Sequence, residues 1–285
     1  MGVLSFCASS HAQEGTQAVF EISGSEVRTI QSEVLDRRYD VYVKLPPGYS
    51  AEENAKKIYP VIYFNDAGYN WLTAVGVTRA PFNLGGYERT ILVGFSYAKG
   101  EGGAASRVRD YTPTKNAEWR RFDTGGGAQY LQFIKTEAIP FVESEYRINP
   151  NRRTLVGHSL GALFGAYALL KEPGLFSDYI LSSPSFWYHD QVIFQMVSES
   201  KDAGTEPTGK VFIAIGSTET PEINGKSHDM VGQAITFAET LRSHEYEGLE
   251  IKHVVYEGGT HLTTFPVALT EALRWMLPGE NVYGG

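Results

Sequence analysis

The sequence has a single cysteine, Cys7, and it lies within the first dozen residues. Residues 8–285 therefore offer no disulfide bond, no thiolate metal site and no cysteine nucleophile. Histidines number seven, and the chain contains neither an H-E-x-x-H pattern nor a cysteine cluster of metal-ligand spacing. We expect no metal and no cofactor.

Long apolar runs and basic blocks are also missing. No stretch approaches the roughly 18 to 20 apolar residues that a membrane helix requires. The formal net charge of −8 argues against nonspecific binding to nucleic acid or to anionic membranes. With 42% hydrophobic and 20% charged residues, the composition is that of a globular protein with a packed core. The sequence predicts no membrane span and no nucleic-acid partner, and it assigns no oligomeric state.

The N-terminus resembles part of an export signal. Residues 10–12, Ser-His-Ala, have the small residues at −3 and −1 of a signal-peptidase site, and a polar segment starts at Gln13. The positive segment and most of the hydrophobic segment of a signal peptide are absent. We interpret residues 1–15 as a partial signal peptide or a disordered tail, and residues 16–285 as a single domain. The predicted location is periplasmic or secreted, with the cytoplasm as the alternative.

Strand-like and helix-like segments alternate along the chain, which indicates an α/β fold with a mostly parallel central sheet and helices on both faces. The first two strands are expected to form an antiparallel pair. Residues 98–127 show little apolar periodicity and are expected to form a long functional loop. Predicted strands cover 19–32, 37–45, 58–64, 90–97, a run ending at 156, 178–183, 210–215 and 249–256; predicted helices cover 130–146 with a kink at Pro140, 162–170, 229–243 and 264–277.

A candidate nucleophile lies in the segment GHSLG at 157–161, which fits G-x-S-x-G. The bare motif occurs by chance in about one sequence of this composition in five. Here it follows an apolar strand and precedes the small residues of a helix that can lie close on a sheet, which favours a nucleophile elbow at Ser159. The amide of Leu160, in the first turn of that helix, is a candidate oxyanion donor. The alternative is a glycine-rich packing turn with an incidental serine.

Two further groups follow later strands. Glu219 comes after strand 210–215, and His261 comes after strand 249–256. The chain order of serine, acid and histidine is that of α/β-hydrolases. We predict His261 as the base that takes the serine proton and Glu219 as the acid that orients it, with Glu222 and Asp229 as alternative acids.

A turn after strand 58–64 is the predicted source of the second oxyanion donor, since ligands of open α/β sheets bind at the carboxyl ends of strands. Gly68 is the candidate there, with Ala67 and Tyr69 as alternatives.

Three residues are candidates for substrate binding. Arg107 and Arg109, in RVRDYTPT at 107–114, would form a cationic lip; alternatively, Arg109 pairs with Asp110 and pins a surface loop. Trp187, within an aromatic run, would wall a pocket or else pack in the core or in a lid.

These segments together resemble the putative esterase family of α/β-hydrolases, and within it the siderophore esterases of the enterobactin and salmochelin type. The matching motifs are YPVIYFNDAG at 59–68, RVRDYTPT, GHSLG, SPSFW at 183–187 and GGTHLTTFP at 258–266, and the likeness covers most of residues 35–277. The resemblance implies the α/β-hydrolase fold, Ser159 and His261 as nucleophile and base, and Gly68 with Leu160 as oxyanion donors. It leaves open a serine–histidine dyad that works without an acid.

The expected activity is that of a serine esterase with an acyl-enzyme on Ser159. The expected partner is a small-molecule ester, a siderophore trilactone or another aryl ester, because arginine binds phenolate oxygens and also stacks on rings. The alternatives are a thioesterase or S-formylglutathione hydrolase, an acyltransferase, and a non-catalytic binding protein of the same fold.

Overall fold

A computed structural model describes residues 21–224 and 228–281. The predicted partial signal peptide or tail at residues 1–15 lies outside them. Within the described ranges, none of the helices is both long enough and apolar enough to cross a membrane.

Eight strands form one sheet in the order β1-β2-β4-β3-β5-β6-β7-β8. The N-terminal strands β1 and β2 pair antiparallel, β2 pairs antiparallel with β4, and all remaining pairs are parallel. The predicted fold class is therefore confirmed. The strands are β1 (Ser25–Ser32), β2 (Arg37–Lys44), β3 (Tyr59–Phe64), β4 (Ile91–Ala98), β5 (Ile148–His158), β6 (Asp178–Ser182), β7 (Gly209–Gly216) and β8 (Leu249–Tyr256).

Helices cover both faces of this sheet. Because successive side chains of a strand point to opposite faces, Tyr63 of β3 joins the apolar cluster under α2 to α6 and α8, whereas Phe64 joins the cluster under α1 and α9. The helices are α1 (Ala67–Leu84), α2 (Gly103–Tyr111), α3 (Gly127–Phe133), α4 (Ile139–Glu145), α5 (Leu160–Lys171), α6 (Tyr188–Asp202), α7 (Pro221–Asn224), α8 (Met230–Ser243) and α9 (Thr264–Met276).

Helix α1 was missed by the sequence prediction, and the expected loop at 98–127 is wrong where α2 lies. Helix α1 begins at Ala67, inside the predicted turn after β3. The buried face of α2 includes Ser106 and Asp110, so it shows no apolar stripe in the sequence.

The predicted helix 130–146 is divided into α3, a π-helical segment (Ile134–Ala138) and α4. Pro140 is the second residue of α4, and its nitrogen cannot donate to the preceding turn, where the π-helical segment lies.

Backbone contacts just after the C-terminal ends of α1 and α9 form a tie between the two helices. Pro278, just after α9, forms an isolated bridge with Tyr87, just after α1. Gly279 N–H donates to Gly86 O at 3.1 Å. These two helices pack on the same face of the sheet, and both begin beside the candidate site.

Candidate active site

Ser159 occupies a sharp turn between β5 and α5. Its φ of 58° and ψ of −119° lie outside the ordinary regions for a non-glycine residue, a conformation that costs about 1–3 kcal/mol and clusters at functional sites. A Cβ on Gly157 would stand 2.1 Å from the carbonyl oxygen of Gly161, so glycine is required where strand and helix pass. The structure thus places the Ser159 side chain at a strained elbow at the carboxyl end of β5.

His261 and Glu219 meet on the neighbouring turns. His261 Nδ1 lies 2.6 Å from Glu219 Oε2, and the Glu219 side chain is fully buried. Burial by itself raises the pKa of Glu219, but its hydrogen bonds, the one with His261 first among them, outweigh burial and hold the pKa below its ordinary value. Glu219 is therefore a carboxylate at neutral pH.

The alternative acids are engaged elsewhere. Asp229 caps the N-terminus of α8 by accepting a hydrogen bond of 2.9 Å from Gly232 N–H. Glu222 is exposed in the short helix α7. Of the three acids, the structure brings Glu219 to the imidazole.

His158 packs beside His261, with the two ring centroids 4.7 Å apart. Its Nδ1 lies 3.2 Å from Ser182 Oγ. Burial, followed by the positive charges of His261 and Arg107, lowers the pKa of His158 to about 3. The His158 ring therefore stays neutral at neutral pH and adds no charge beside His261.

Ser159 and His261 line one cleft of about 520 Å³, together with Tyr69 and Leu262 at its rim. The Ser159 hydroxyl lies 3.1 Å from Ser185 Oγ, and it makes no hydrogen bond to His261 in this state. Such bonds are often loose in unliganded enzymes and tighten when substrate binds. Tyr69 and Leu262 are 78% and 85% exposed, so the cleft has an apolar rim that is open to solvent.

Two helix N-termini face this cleft. Leu160 is the first residue of α5, and Gly68 is the second residue of α1. First-turn amides have no partner within their own helix and are free for an oxyanion. The amide of Tyr69, an alternative donor, instead bonds to Asp66 O at 2.9 Å. The structure leaves Gly68 and Ala67 as candidates for the second donor.

Asp66, which sequence reasoning passed over, fixes the start of α1. It has a left-handed φ of 57° and a buried carboxylate. Oδ1 accepts hydrogen bonds from Arg107 Nε at 2.7 Å and Tyr97 Oη at 2.8 Å. Pairing with Asp66 raises the pKa of Arg107, although burial opposes this, so the guanidinium keeps its charge.

The predicted substrate-binding residues separate in the structure. Arg107 lines the cleft and is 20% exposed, and it donates to His158 O at 3.2 Å. Arg109 does not line the cleft: it pairs with Glu101 and, at 2.9 Å, with Asp110. Arg109 therefore pairs with Asp110, which is the alternative to the cationic lip.

Trp187 also lies apart from the residues that line the cleft. Its ring stacks on His228 with centroids 4.6 Å apart, and Trp119 lies on it at 5.9 Å. The arrangement is the packing alternative foreseen for the aromatic run.

Comparison with known proteins gives a consistent result. The family model described as "Putative esterase" matches residues 32–276. The ferri-bacillibactin esterase BesA of Bacillus subtilis is 29% identical over 274 residues, which cover 92% of this chain and 93% of that protein.

Solved structures of the same fold were also found. A BES protein of Bacillus cereus superimposes with a TM-score of 0.78 at 26% identity, covering 94% of this chain and 99% of the other. An IroE-like serine hydrolase of Shewanella oneidensis superimposes with a TM-score of 0.75 at 25% identity, covering 88% of this chain and 79% of the other. The family match spans most of the chain, which therefore belongs to the putative esterase family and is a serine hydrolase acting on carboxylic ester bonds.

Proposed function

We propose that the chain hydrolyses its ester through an acyl-enzyme on Ser159, with His261 as the base and Glu219 as the acid that orients it. The observation that carries this proposal is the 2.6 Å contact between His261 Nδ1 and the buried Glu219 carboxylate, on the turns beside the strained elbow. A histidine fixed in this way presents Nε2 as the acceptor for the serine proton.

Acylation follows from this arrangement. Ser159 Oγ attacks the ester carbonyl carbon while His261 Nε2 takes its proton, and the Gly68 and Leu160 amides donate to the oxyanion. Collapse of the tetrahedral intermediate breaks the C–O bond to the leaving alcohol, which receives the proton from His261.

Deacylation repeats the sequence with water. His261 takes a proton from water as the oxygen attacks the acyl carbon, and the second tetrahedral intermediate expels Ser159 Oγ. The proton returns to the serine, and the carboxylic acid leaves. Glu219 stays ionised throughout and stabilises the imidazolium that forms in each half of the reaction.

We propose a siderophore ester as the substrate, with a catechol-type trilactone or its iron complex as the leading candidate. Similarity to a ferri-bacillibactin esterase over nearly the whole chain supports this class. The cleft adds a charged Arg107 and an apolar rim, which suit an oxygen-rich ester that carries rings.

Ser159→Ala tests the nucleophile. The variant should remain folded and lose about 10⁴-fold or more in kcat, together with labelling by a serine-directed phosphonate. His261→Ala should lose a similar factor, and the double variant should be no worse, since the two residues act as one unit. Substantial activity in Ser159→Ala would refute the mechanism.

The substrate class is tested with a panel of a catechol trilactone, p-nitrophenyl acetate and a thioester. Arg107→Lys keeps a cation for Asp66 but loses the planar fork, so KM for the trilactone should rise about tenfold while acetate turnover is unchanged. Arg109→Ala, outside the cleft, is the matched control and should leave both KM values unchanged. Should the trilactone be cleaved no faster than acetate, a general carboxylesterase would replace the siderophore assignment.

A further inference from the structure

Three serine hydroxyls in the segment 182–185 each touch a different member of the site. All three serines are at most 1% exposed. The contacts are Ser182 Oγ with His158 Nδ1 at 3.2 Å, Ser183 Oγ donating to Glu219 Oε1 at 2.7 Å, and Ser185 Oγ with Ser159 Oγ at 3.1 Å.

The backbone of the same segment holds Ser159 from both sides. Ser159 N–H donates to Ser182 O at 2.9 Å, and Ser185 N–H donates to Ser159 O at 3.2 Å. Ser183, between them, has a left-handed φ of 43°, and Pro184 fixes its own φ. A non-glycine residue with positive φ persists only where its surroundings determine it. The segment is thus a rigid support whose hydroxyls are aimed at the reacting groups.

Resting on the mechanism above, we propose that Ser185 is a positioning residue for the nucleophile, donating its hydroxyl hydrogen to Ser159 Oγ. Ser159 is the one hydrogen-bond partner of the Ser185 hydroxyl among the described residues. A serine hydroxyl has one hydrogen to donate and two lone pairs to accept with. When Ser185 occupies one lone pair, the Ser159 hydrogen remains available for His261.

This contact strengthens as the reaction proceeds. As Ser159 Oγ loses its proton it gains negative charge, and a hydrogen bond to a charged oxygen is shorter and about twice as strong as one between neutral groups. An interaction that grows in the transition state raises kcat and leaves KM unaffected. A purely structural role for Ser185 would instead change stability.

Ser185→Ala and Ser185→Cys test the inference on p-nitrophenyl acetate. Alanine removes the donor. We therefore expect kcat and the rate constant of phosphonate inactivation to fall about tenfold, which corresponds to the loss of one hydrogen bond. KM should be unchanged. Cysteine conserves the shape of the side chain but is a weak donor, so kcat should lie between those of alanine and wild type. Ser200→Ala is the control, since Ser200 is also buried but bonds to Leu170 O and Thr205 O outside the site.

Wild-type kcat in both Ser185 variants would overturn the inference. So would a loss in kcat that tracks a fall in Tm in the alanine variant and is absent from the cysteine variant, because cysteine conserves the packing and packing would then explain the loss. If Ser185→Ala does not fold, the cysteine variant alone decides between a reduced and a wild-type kcat. Ser159→Ala separates the two proposals: an inactive Ser159→Ala beside fully active Ser185 variants leaves the mechanism intact and removes Ser185 from it.

Discussion

The carboxylate of Glu219 holds His261 through one oxygen and is itself held through the other. Oε1 accepts from Ser183 Oγ at 2.7 Å and from Gly216 N–H at 2.9 Å. In Glu219→Gln, Ser183 Oγ and Gly216 N–H can donate only to the oxygen of the new side-chain amide. The NH₂ group of the glutamine must then point towards His261 Nδ1. The imidazole would then carry its hydrogen on Nε2 and could not accept the serine proton, so we expect kcat to fall about 10³- to 10⁴-fold.

Steady-state hydrolysis of p-nitrophenyl acetate measures this loss. Asp229→Asn is the matched control, because Asp229 caps α8 and does not contact the imidazole; its kcat should stay near wild type. If Glu219→Gln kept more than a tenth of kcat, Ser159 and His261 would be working as a dyad.

His158 gives stability a pH dependence of known sign. Its pKa is about 3 in the folded protein and about 6.5 when unfolded. Between those values the unfolded chain binds one more proton, so stability falls as pH falls through that window. From pH 7 to pH 5 the loss from this residue should be about 2 kcal/mol.

The variant His158→Asn removes this titration. Denaturant unfolding of both proteins at pH 7 and pH 5 should show a smaller loss of stability in the variant. Equal losses in the two proteins would show that His158 is protonated in the folded state.

Individual site residues could be predicted from the sequence where they belong to a motif or follow a characteristic chain order. Ser159 stands in a motif, and Glu219 and His261 follow strands in a characteristic order, so their placement could be predicted. A buried hydroxyl such as Ser185 carries no such signal, because serine is common and its role depends on a contact across the sheet. The two arginines at 107 and 109 are indistinguishable by type, and only the direction of each side chain on α2 separates them.

Helix α2 is anchored by a buried carboxylate. Asp110 accepts hydrogen bonds from Tyr39 Oη at 3.0 Å and Ser106 Oγ at 2.9 Å, and it pairs with Arg109. Arg109→Ala leaves Asp110 with less compensation, so we expect it to lower the free energy of unfolding by about 3 kcal/mol. Urea unfolding gives the stability. A rise in KM without loss of stability would show instead that Arg109 reaches the substrate.

Helices α1 and α2, which the sequence did not predict, share a physical cause. Helix α1 contains Gly76 and Pro81, both of which disfavour helix interiors, and α2 buries polar side chains. Tertiary contacts, such as the Arg107 pairing with Asp66 at the start of α1, stabilise helices whose local sequence argues against them. Strands such as β3, whose residues are all buried, are apolar throughout and could be predicted.

Across the whole molecule, the sheet class could be predicted but its strand order could not. Apolar runs separated by helices indicate parallel strands. The position of β4 between β2 and β3 depends on which strands pair, and strand pairing produces no periodic pattern in the sequence.

The tie between the ends of α1 and α9 can be tested by deletion. Removing residues from Pro278 onward abolishes the bridge to Tyr87 and the hydrogen bond from Gly279 to Gly86. It also removes the hydrogen bond of 2.9 Å from Asn281 N–H to Gly85 O. Since each bond is worth about 1 kcal/mol, we expect the free energy of unfolding to fall by about 2–3 kcal/mol in urea. An unchanged unfolding midpoint would show that the tie contributes nothing.

The same tie implies that heating abolishes catalysis before it unfolds the protein. Helix α1 begins at Ala67, one residue before the candidate oxyanion donor Gly68, and α9 begins three residues after His261. Loosening of the two helices at their far ends shifts donor and base relative to each other while the sheet beneath them stays intact. Warming should therefore pass through an interval in which circular dichroism still reports a folded protein and catalysis has already ceased.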